Sequence, residues 1–427
     1  MEENKLLIKG ARVIDPANNL DEVADILIEG SVISKVSRSI GGCEKIIDAT
    51  GKIAIPGLVD MHVHLREPGR EDKENICSGT KAALRGGVTS ILAMPNTDPA
   101  MDSSSHISIL KKAVEKSAKA NVFLCGAITK GRCGQELAQI DKFRDLGVVA
   151  ISDDGYSVES EELMLEALKL SKESGLLVVC HCEDKTLSAG GVVNRGFTST
   201  RLGLKGISSE SEYKRIERDI RLAKKSGAPL HIAHVSCRES VEIIAKAKKE
   251  GMEITCETAP HYFALSEKCV LGYDTNFKMN PPLRSEEDML AVREGLRDGT
   301  IDAIASDHAP HTENEKDIEF ERAEFGVIGL QTELAVSITQ LINGQILTWP
   351  ELVKKLCLNP SLILKIAKGT LGTGRDADIA IIDPQKEWTV NKENLLSKSK
   401  NSAFLGEKLK GAVEYTICLG KVHKWNS

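Results

Sequence analysis

From residue 58 onward the chain alternates between two patterns. Short apolar runs rich in Val, Ile and Ala lead into polar residues. They are 58–64 (LVDMHVH), 89–94 (TSILAM), 122–128 (VFLCGAI), 148–152 (VVAIS), 176–181 (LLVVCH), 229–234 (PLHIAH), 253–258 (EITCET) and 302–307 (DAIASD). Between them lie stretches whose apolar residues recur at helical spacing. Ser103 to Lys119 carries Ile107, Leu110 and Val114, and Ser160 to Glu173 carries Leu163, Ala167 and Leu170. Ser236 to Lys249 carries Val241, Ile244, Ala245 and Lys248, with Ser236 read as the cap ahead of an acidic first turn. Strand–helix alternation implies a parallel sheet with right-handed crossovers, and eight such units imply a closed (β/α)8 barrel, an α/β fold. The competing arrangement is an open doubly wound sheet, but no GxGxxG follows the first run.

Both ends of the chain read differently. Leu6–Lys9, Arg12–Asp15, Asp25–Ile28 and Val32–Val36 are candidate strands, punctuated by Gly10, Pro16, Gly30, Gly41 and Gly42. Ala377–Asp383, stopped by Pro384, and Tyr415–Val422 continue the style at the other end. Each group is too small for a stable sheet alone. The pattern therefore predicts one discontinuous β-sandwich domain, residues 1–54 with 368–427, beside a barrel of residues 55–367. Thr312 to Glu324 holds eight charged residues just after the eighth run. It reads either as a solvated helix or surface loop or, because it follows the eighth run, as a cover for the barrel mouth, and it is expected to be mobile when no substrate is bound.

Composition narrows the class. Over 427 residues, 41% hydrophobic and 28% charged residues support a large core and exclude a disordered or fibrous chain. A net charge of -6 without a basic tract, and only 4% aromatics, argue against a nucleic-acid partner. No apolar run approaches ~18 residues, so no membrane span is expected. The start, Met1 to Lys5, lacks a secretory pattern. The eleven cysteines include no CxxC pair and read as reduced thiols of a cytoplasmic protein.

The polar strand ends carry the chemistry. In His62-Val63-His64 both imidazoles share one strand face, an arrangement suited to a borderline metal such as zinc. His181, His234, Asp153, Asp154 and Asp307 sit at the ends of other strands. In a (β/α)8 barrel these ends gather at one mouth, where active sites lie. Three separate histidine sites plus acids at one rim point to a metal site. Cys180 and Cys182 flank His181 and read as core residues. His231, three residues from His234, reads as a structural residue on the opposite strand face. His106, His261 and His423 have no motif support and read as surface or hydrogen-bonded histidines.

Longer motifs carry a resemblance. Asp60–Gly69 (DMHVHLREPG), Met94–Thr97 (MPNT), Asn280–Arg284 (NPPLR), Phe325-Gly326 and Ala305–His311 (ASDHAPH) with Lys316 beyond it resemble the long, class I dihydroorotase family of the metal-dependent amidohydrolase superfamily. The resemblance spans essentially the whole chain. It implies reversible hydrolysis of the ring amide of dihydroorotate, with N-carbamoyl-L-aspartate as the open form, in pyrimidine biosynthesis. It implies that His62, His64 and Asp307 bind one zinc and His181 and His234 a second, two per subunit, with Asp154 as the bridge and Asp307 as general base and acid. Arg66, Asn96 and His311 would form a carboxylate pocket, and Asn280 with the Phe325–Gly326 backbone would hold the ring amide or urea edge. Many relatives bridge their metals with a carboxylated lysine at the fourth strand; this chain has Ile151-Ser152-Asp153-Asp154 there. The rivals are a hydantoinase or allantoinase, which usually carry that lysine, and an inactive paralogue that scaffolds aspartate carbamoyltransferase. The sequence leaves open a homodimer and association with aspartate carbamoyltransferase. Expressed apart, residues 1–54 and 368–427 are expected to stay unfolded by circular dichroism; either fragment folding alone would refute the shared domain.

Overall fold

All eight central runs become strands in the computed structural model, which describes residues 5–425. The strands are Leu58–Val63, Val88–Ala93, Asn121–Gly126, Val148–Ile151, Leu177–Cys180, Leu230–Ile232, Ile254–Thr258 and Ala303–Ile304, paired in parallel in chain order. Alternation sorts their side chains. Leu92, Cys125, Ala150, Val179, Ala233 and Ala303 pack together inside, while Ile91, Leu124, Val178, Ile232 and Ile304 join the core beneath the helices. The last strand is shorter than the sequence suggests, so the seam with the first needs other bonds. His64 N–H donates to the His308 carbonyl at 2.9 Å. The Asp60 carboxylate accepts from the backbone of His62 at 3.0 Å and of Ser306 at 3.2 Å. A side chain thus does what a two-residue strand cannot.

The helices follow their caps. Ser103 precedes Ser104–Ser117 and Ser160 precedes Glu161–Glu173, each accepting a first-turn N–H. The third start differs from the reading above. Arg238–Lys249 begins after Cys237, and Ser236 does not cap it. Instead Ser236 donates to the Glu212 carboxylate and accepts from Arg284 Nε at 3.1 Å, because a buried ion pair competes for its hydroxyl.

Strands from both ends of the chain build one further sheet. They meet where Ile53–Pro56 pairs antiparallel with Ile379–Ile382. The sheet curls until Ile33 N–H reaches the Arg375 carbonyl and Ala377 N–H the Ser31 carbonyl, both at 2.8 Å. Ile8, Val13, Ile26, Ile379, Ile381 and Ile417 fill this small sandwich. Three local details differ from the sequence reading. Gly10 (φ 73°) makes a bulge inside one strand, Lys5–Asp15, rather than a break. Pro384 is absorbed by a register irregularity within Ile379–Thr389. Tyr415–Val422 is not one strand: Leu419 and Gly420, both left-handed, turn Lys408–Cys418 back into Lys421–Lys424. All eleven cysteines are free. No helix among the described residues is long and apolar enough to cross a membrane.

Gly57 joins sandwich to barrel. Its N–H donates to the Asp378 carbonyl at 2.8 Å, and a Cβ there would lie 2.1 Å from Thr89 Oγ1. Gly57→Ala is expected to destabilise by about 1–3 kcal/mol through overpacking, read from the urea unfolding midpoint.

Candidate metal centre

The barrel brings the dispersed strand-end residues to one point. Asp154 Oδ1 lies 3.2 Å from His62 Nε2, 3.7 Å from His181 Nδ1 and 3.6 Å from His234 Nε2, while its Oδ2 lies 3.5 Å from His64 Nε2. Two ligand-like groups result, His62–His64–Asp154 and Asp154–His181–His234, sharing the one carboxylate. Asp307 Oδ1 joins the first group, 3.7 Å from His62 Nε2 and 3.5 Å from His64 Nε2. Within this cluster His62 Nε2 and Asp154 Oδ1 are buried without a hydrogen-bond partner. Buried polar atoms are rarely left so. A nitrogen and oxygen donor set of this kind fits a divalent metal.

Asp153, the neighbouring candidate, is committed elsewhere. Its Oδ1 accepts from the backbone N–H of Ile128 at 2.8 Å and Thr129 at 3.0 Å, tying the fourth strand's loop to the third. His234 (φ 37°) and Asp307 (φ 47°) reach the cluster from left-handed backbone, as does Arg66 (φ 62°) at the rim. Such conformations are unfavourable for L residues and concentrate at functional sites.

Partners behind the cluster orient the rings. Asn96 Oδ1, 2.7 Å from His64 Nδ1, accepts a hydrogen bond from it and leaves Nε2 facing Asp154 and Asp307. Glu257 Oε1 does the same for His62 Nδ1 at 2.9 Å. Burial would raise the Glu257 carboxyl, but the close His231 ring and the hydrogen bond from His62 bring it down to about 2. His231 therefore does not face away from the site. It is fully buried inside the barrel, its Nε2 3.3 Å from Glu257. Parity misled because His234 lies beyond the strand, in a left-handed turn that cancels the alternation. His261 is no surface residue either: it is buried, its Nε2 has no partner, and burial lowers its imidazole to about 4. Among the rest, His106 Nδ1 lies 2.9 Å from the Ala100 carbonyl, and His423 stacks near Trp425. Cys180 and Cys182 lie in the apolar core.

Every predicted site residue except His62, which lies fully buried, lines one cavity of about 310 Å³. Arg66 Nε donates to the Pro310 carbonyl at 3.2 Å. Burial brings its guanidinium down to about 10, so it stays charged at neutral pH. Asn280 Nδ2 donates to Glu183 at 3.1 Å, and Glu183 lies 3.4 Å from His181 Nε2. Glu183, Arg132 and Tyr156 escaped the sequence reading. Glu257 did too, although a glutamate inside the apolar run EITCET was a signal for it.

The segment 312–324, expected to be a mobile cover, is fastened by two buried lysines. Lys316 Nζ donates to the carbonyls of Glu324 at 2.9 Å, Gly326 at 3.0 Å and Lys278 at 3.4 Å. Lys278 Nζ donates to those of Phe320 at 2.8 Å and Glu321 at 2.9 Å, and also to Ala323. Of its eight charged residues, Lys316 is buried and Glu315 half-buried, and these anchor the segment, while the other six are exposed. Asn401, from the C-terminal segment, adds bonds from Nδ2 to the carbonyls of Ala309 at 3.2 Å and Gly326 at 3.1 Å.

A parallel (β/α)8 barrel with this cluster at its mouth, and a sandwich built from both ends of the chain, defines a member of the metal-dependent amidohydrolase superfamily. Comparisons narrow the class. Residues 51–240 match the family model described as dihydro-orotase-like. The dihydroorotase of Elusimicrobium minutum (strain Pei191) is 51% identical over 98% of this chain and 97% of its own. That of Geobacter metallireducens is also 51% identical, over 98% and 99%. Among solved structures, an L-hydantoinase (dihydropyrimidinase) from Arthrobacter aurescens superposes with a TM-score of 0.89 at 27% identity, covering 98% of this chain and 95% of that one. The chain belongs to the dihydroorotase family and is a hydrolase acting on cyclic amides.

Glu257→Ala is expected to weaken metal binding by about 10–100-fold, since His62 loses the acceptor that sets its tautomer. Competition with a chelator checks this.

Proposed function

We propose that this protein is a zinc-dependent dihydroorotase, interconverting (S)-dihydroorotate plus water and N-carbamoyl-L-aspartate in pyrimidine biosynthesis. The observation that carries the reading is the meeting of the doubled ligand cluster with Arg66, Asn96 and His311 in one cavity. His62, His64 and Asp307 would hold one zinc, His181 and His234 a second, and Asp154 would bridge them. Bound zinc supplies Lewis acidity toward the ring carbonyl and lowers the pKa of water.

The chain's own groups do the rest. The Arg66 guanidinium offers a planar fork to the substrate carboxylate. Asn96 and His311 complete that pocket. Asn280 and the Phe325–Gly326 backbone hold the amide or urea edge. The Asp307 carboxylate takes a proton from water as the amide opens and delivers it to the ring nitrogen; in ring closure the proton returns along the same path. We further read residues 55–367 as the catalytic barrel and residues 1–54 with 368–427 as the sandwich domain, the latter supplying Asn401 behind the cavity-lining Ala309 and Gly326.

The purified protein is expected to open dihydroorotate and close carbamoyl aspartate, to lose both activities to a chelator, and to regain them with zinc. Asp307→Asn should lower kcat by at least about 10²-fold. Turnover of hydantoin or dihydrouracil without turnover of dihydroorotate would overturn the reading in favour of a hydantoinase.

A further inference from the structure

We propose that Lys73 is a positioning residue that fixes His311 as the neutral imidazole with its hydrogen on Nε2, so that the ring presents a donor to the substrate carboxylate. The proposal rests on the function proposed above, and it starts from a buried lysine that the reading of the site leaves unused. Lys73 is 5% exposed, and its Nζ lies 3.1 Å from His311 Nδ1. Its other partner is Glu315, at 2.9 Å, so the ammonium stands between a carboxylate and a ring nitrogen. An ammonium only donates. His311 Nδ1 must therefore accept, which leaves it without hydrogen.

The other side of the ring agrees. His311 Nε2 lies 2.8 Å from the Phe325 carbonyl, which only accepts. Nε2 must donate there. The opposite tautomer would set N–H against ammonium at Nδ1 and lone pair against carbonyl at Nε2. An imidazolium would face Lys73 and also Arg66, whose Nη2 is 3.3 Å from Nε2. Burial, with Arg66, Lys73 and Lys316 around it, brings this imidazole down to about 2 even with Glu315 3.7 Å from Nδ1. The backbone is held as well, His311 N–H donating to Asn401 Oδ1 at 3.2 Å. The Nε2–H form matches both Lys73 and the Phe325 carbonyl and leaves only the longer Arg66 Nη2 approach, 3.3 Å, without an acceptor; either alternative loses both of the shorter contacts or adds a second cation. A carboxylate arriving beside Arg66 then meets a second, neutral donor in place of the Phe325 carbonyl.

Neutron diffraction from crystals of the intact protein tests the tautomer directly. Deuterium is expected on His311 Nε2 and none on Nδ1; deuterium on Nδ1 would overturn the proposal. Kinetics test the consequence. Lys73→Met should raise KM for dihydroorotate about tenfold or more, with kcat and zinc content close to those of the parent. Lys73→Arg, which keeps a cationic donor, should recover much of that loss. An unchanged KM in Lys73→Met, or equal losses of kcat in both variants, would reduce Lys73 to a structural residue. A parent protein inactive on dihydroorotate would remove only the functional reading, since the hydrogen position is measured in the resting protein.

Discussion

Four imidazoles and two carboxylates meet, buried, at one end of a barrel, and the rest of the molecule is arranged around that crowding. Asp154 is the hinge of it, within 3.7 Å of a ring nitrogen from each of His62, His64, His181 and His234. Such a cluster is unfavourable in an apolar interior unless its groups are paired, oriented or bound to a cation. The barrel meets the need for orientation by carrying ligands on separate strand ends and backing His62 and His64 with fixed acceptors, Glu257 and Asn96. It also holds His234 and Asp307 in left-handed backbone, at a cost of roughly 1–3 kcal/mol each. That strain persists only where packing over-determines the turn, and here the turns stand on buried parallel strands.

What was legible in the sequence is what depends on local periodicity. The eight apolar runs, the capping serines at 103 and 160, and the two histidines around Val63 each announce themselves within a few residues. What was not legible is set by contacts distant in the chain. Whether Ser236 caps a helix depends on Glu212 and Arg284, and whether Tyr415–Val422 is one strand depends on Leu419 accepting a left-handed turn. His231 shows the limit most clearly. Its side-chain direction follows from strand parity, but the reference residue, His234, had already left the strand. Asp153 and Asp154 look alike in sequence; the backbone of Ile128 and Thr129, with the Thr129 hydroxyl, distinguishes them by engaging the first and leaving the second for the cluster.

The 312–324 segment extends the lesson to charge. Eight charged residues in a row of thirteen normally mark a solvated surface. Here Lys316, with Lys278 from outside the segment, turns inward and donates to backbone carbonyls, while Glu315 reaches Arg70 and Lys73. An ammonium has three donors and a loop has many unpaired carbonyls, so a buried lysine can organise a turn that has no regular secondary structure. The trailing lysine of the ASDHAPH motif thereby gains a physical role: it fastens the Glu324–Gly326 backbone that walls the cavity.

The same anchoring bears on recognition. The protein is acidic as a whole, with a net charge of -6, and a carboxylate ligand would be repelled by its average surface. One end of the cavity differs from that average, because half-buried Arg66 lines it and buried Lys73 and Lys316 lie behind His311, where solvent screens them least. Glu315 offsets part of this charge, but it is shared between Arg70 and Lys73. The cavity lining as a whole sets Arg66 and Arg132 against Asp154, Asp307 and Glu324, so selectivity for a small anion rests on the geometry of the donors at the Arg66–His311 end and not on long-range steering. Donor geometry is what the C-terminal segment protects: Asn401 bonds to Ala309, His311 and Gly326 at once, joining the turn after Asp307 to the adjacent Gly326 segment. The C-terminal segment is thus coupled to the pocket through the Asn401 amide and through Ser399, whose hydroxyl donates to the Lys73 carbonyl, and a shift of that segment would be felt first in how His311 meets its ligand.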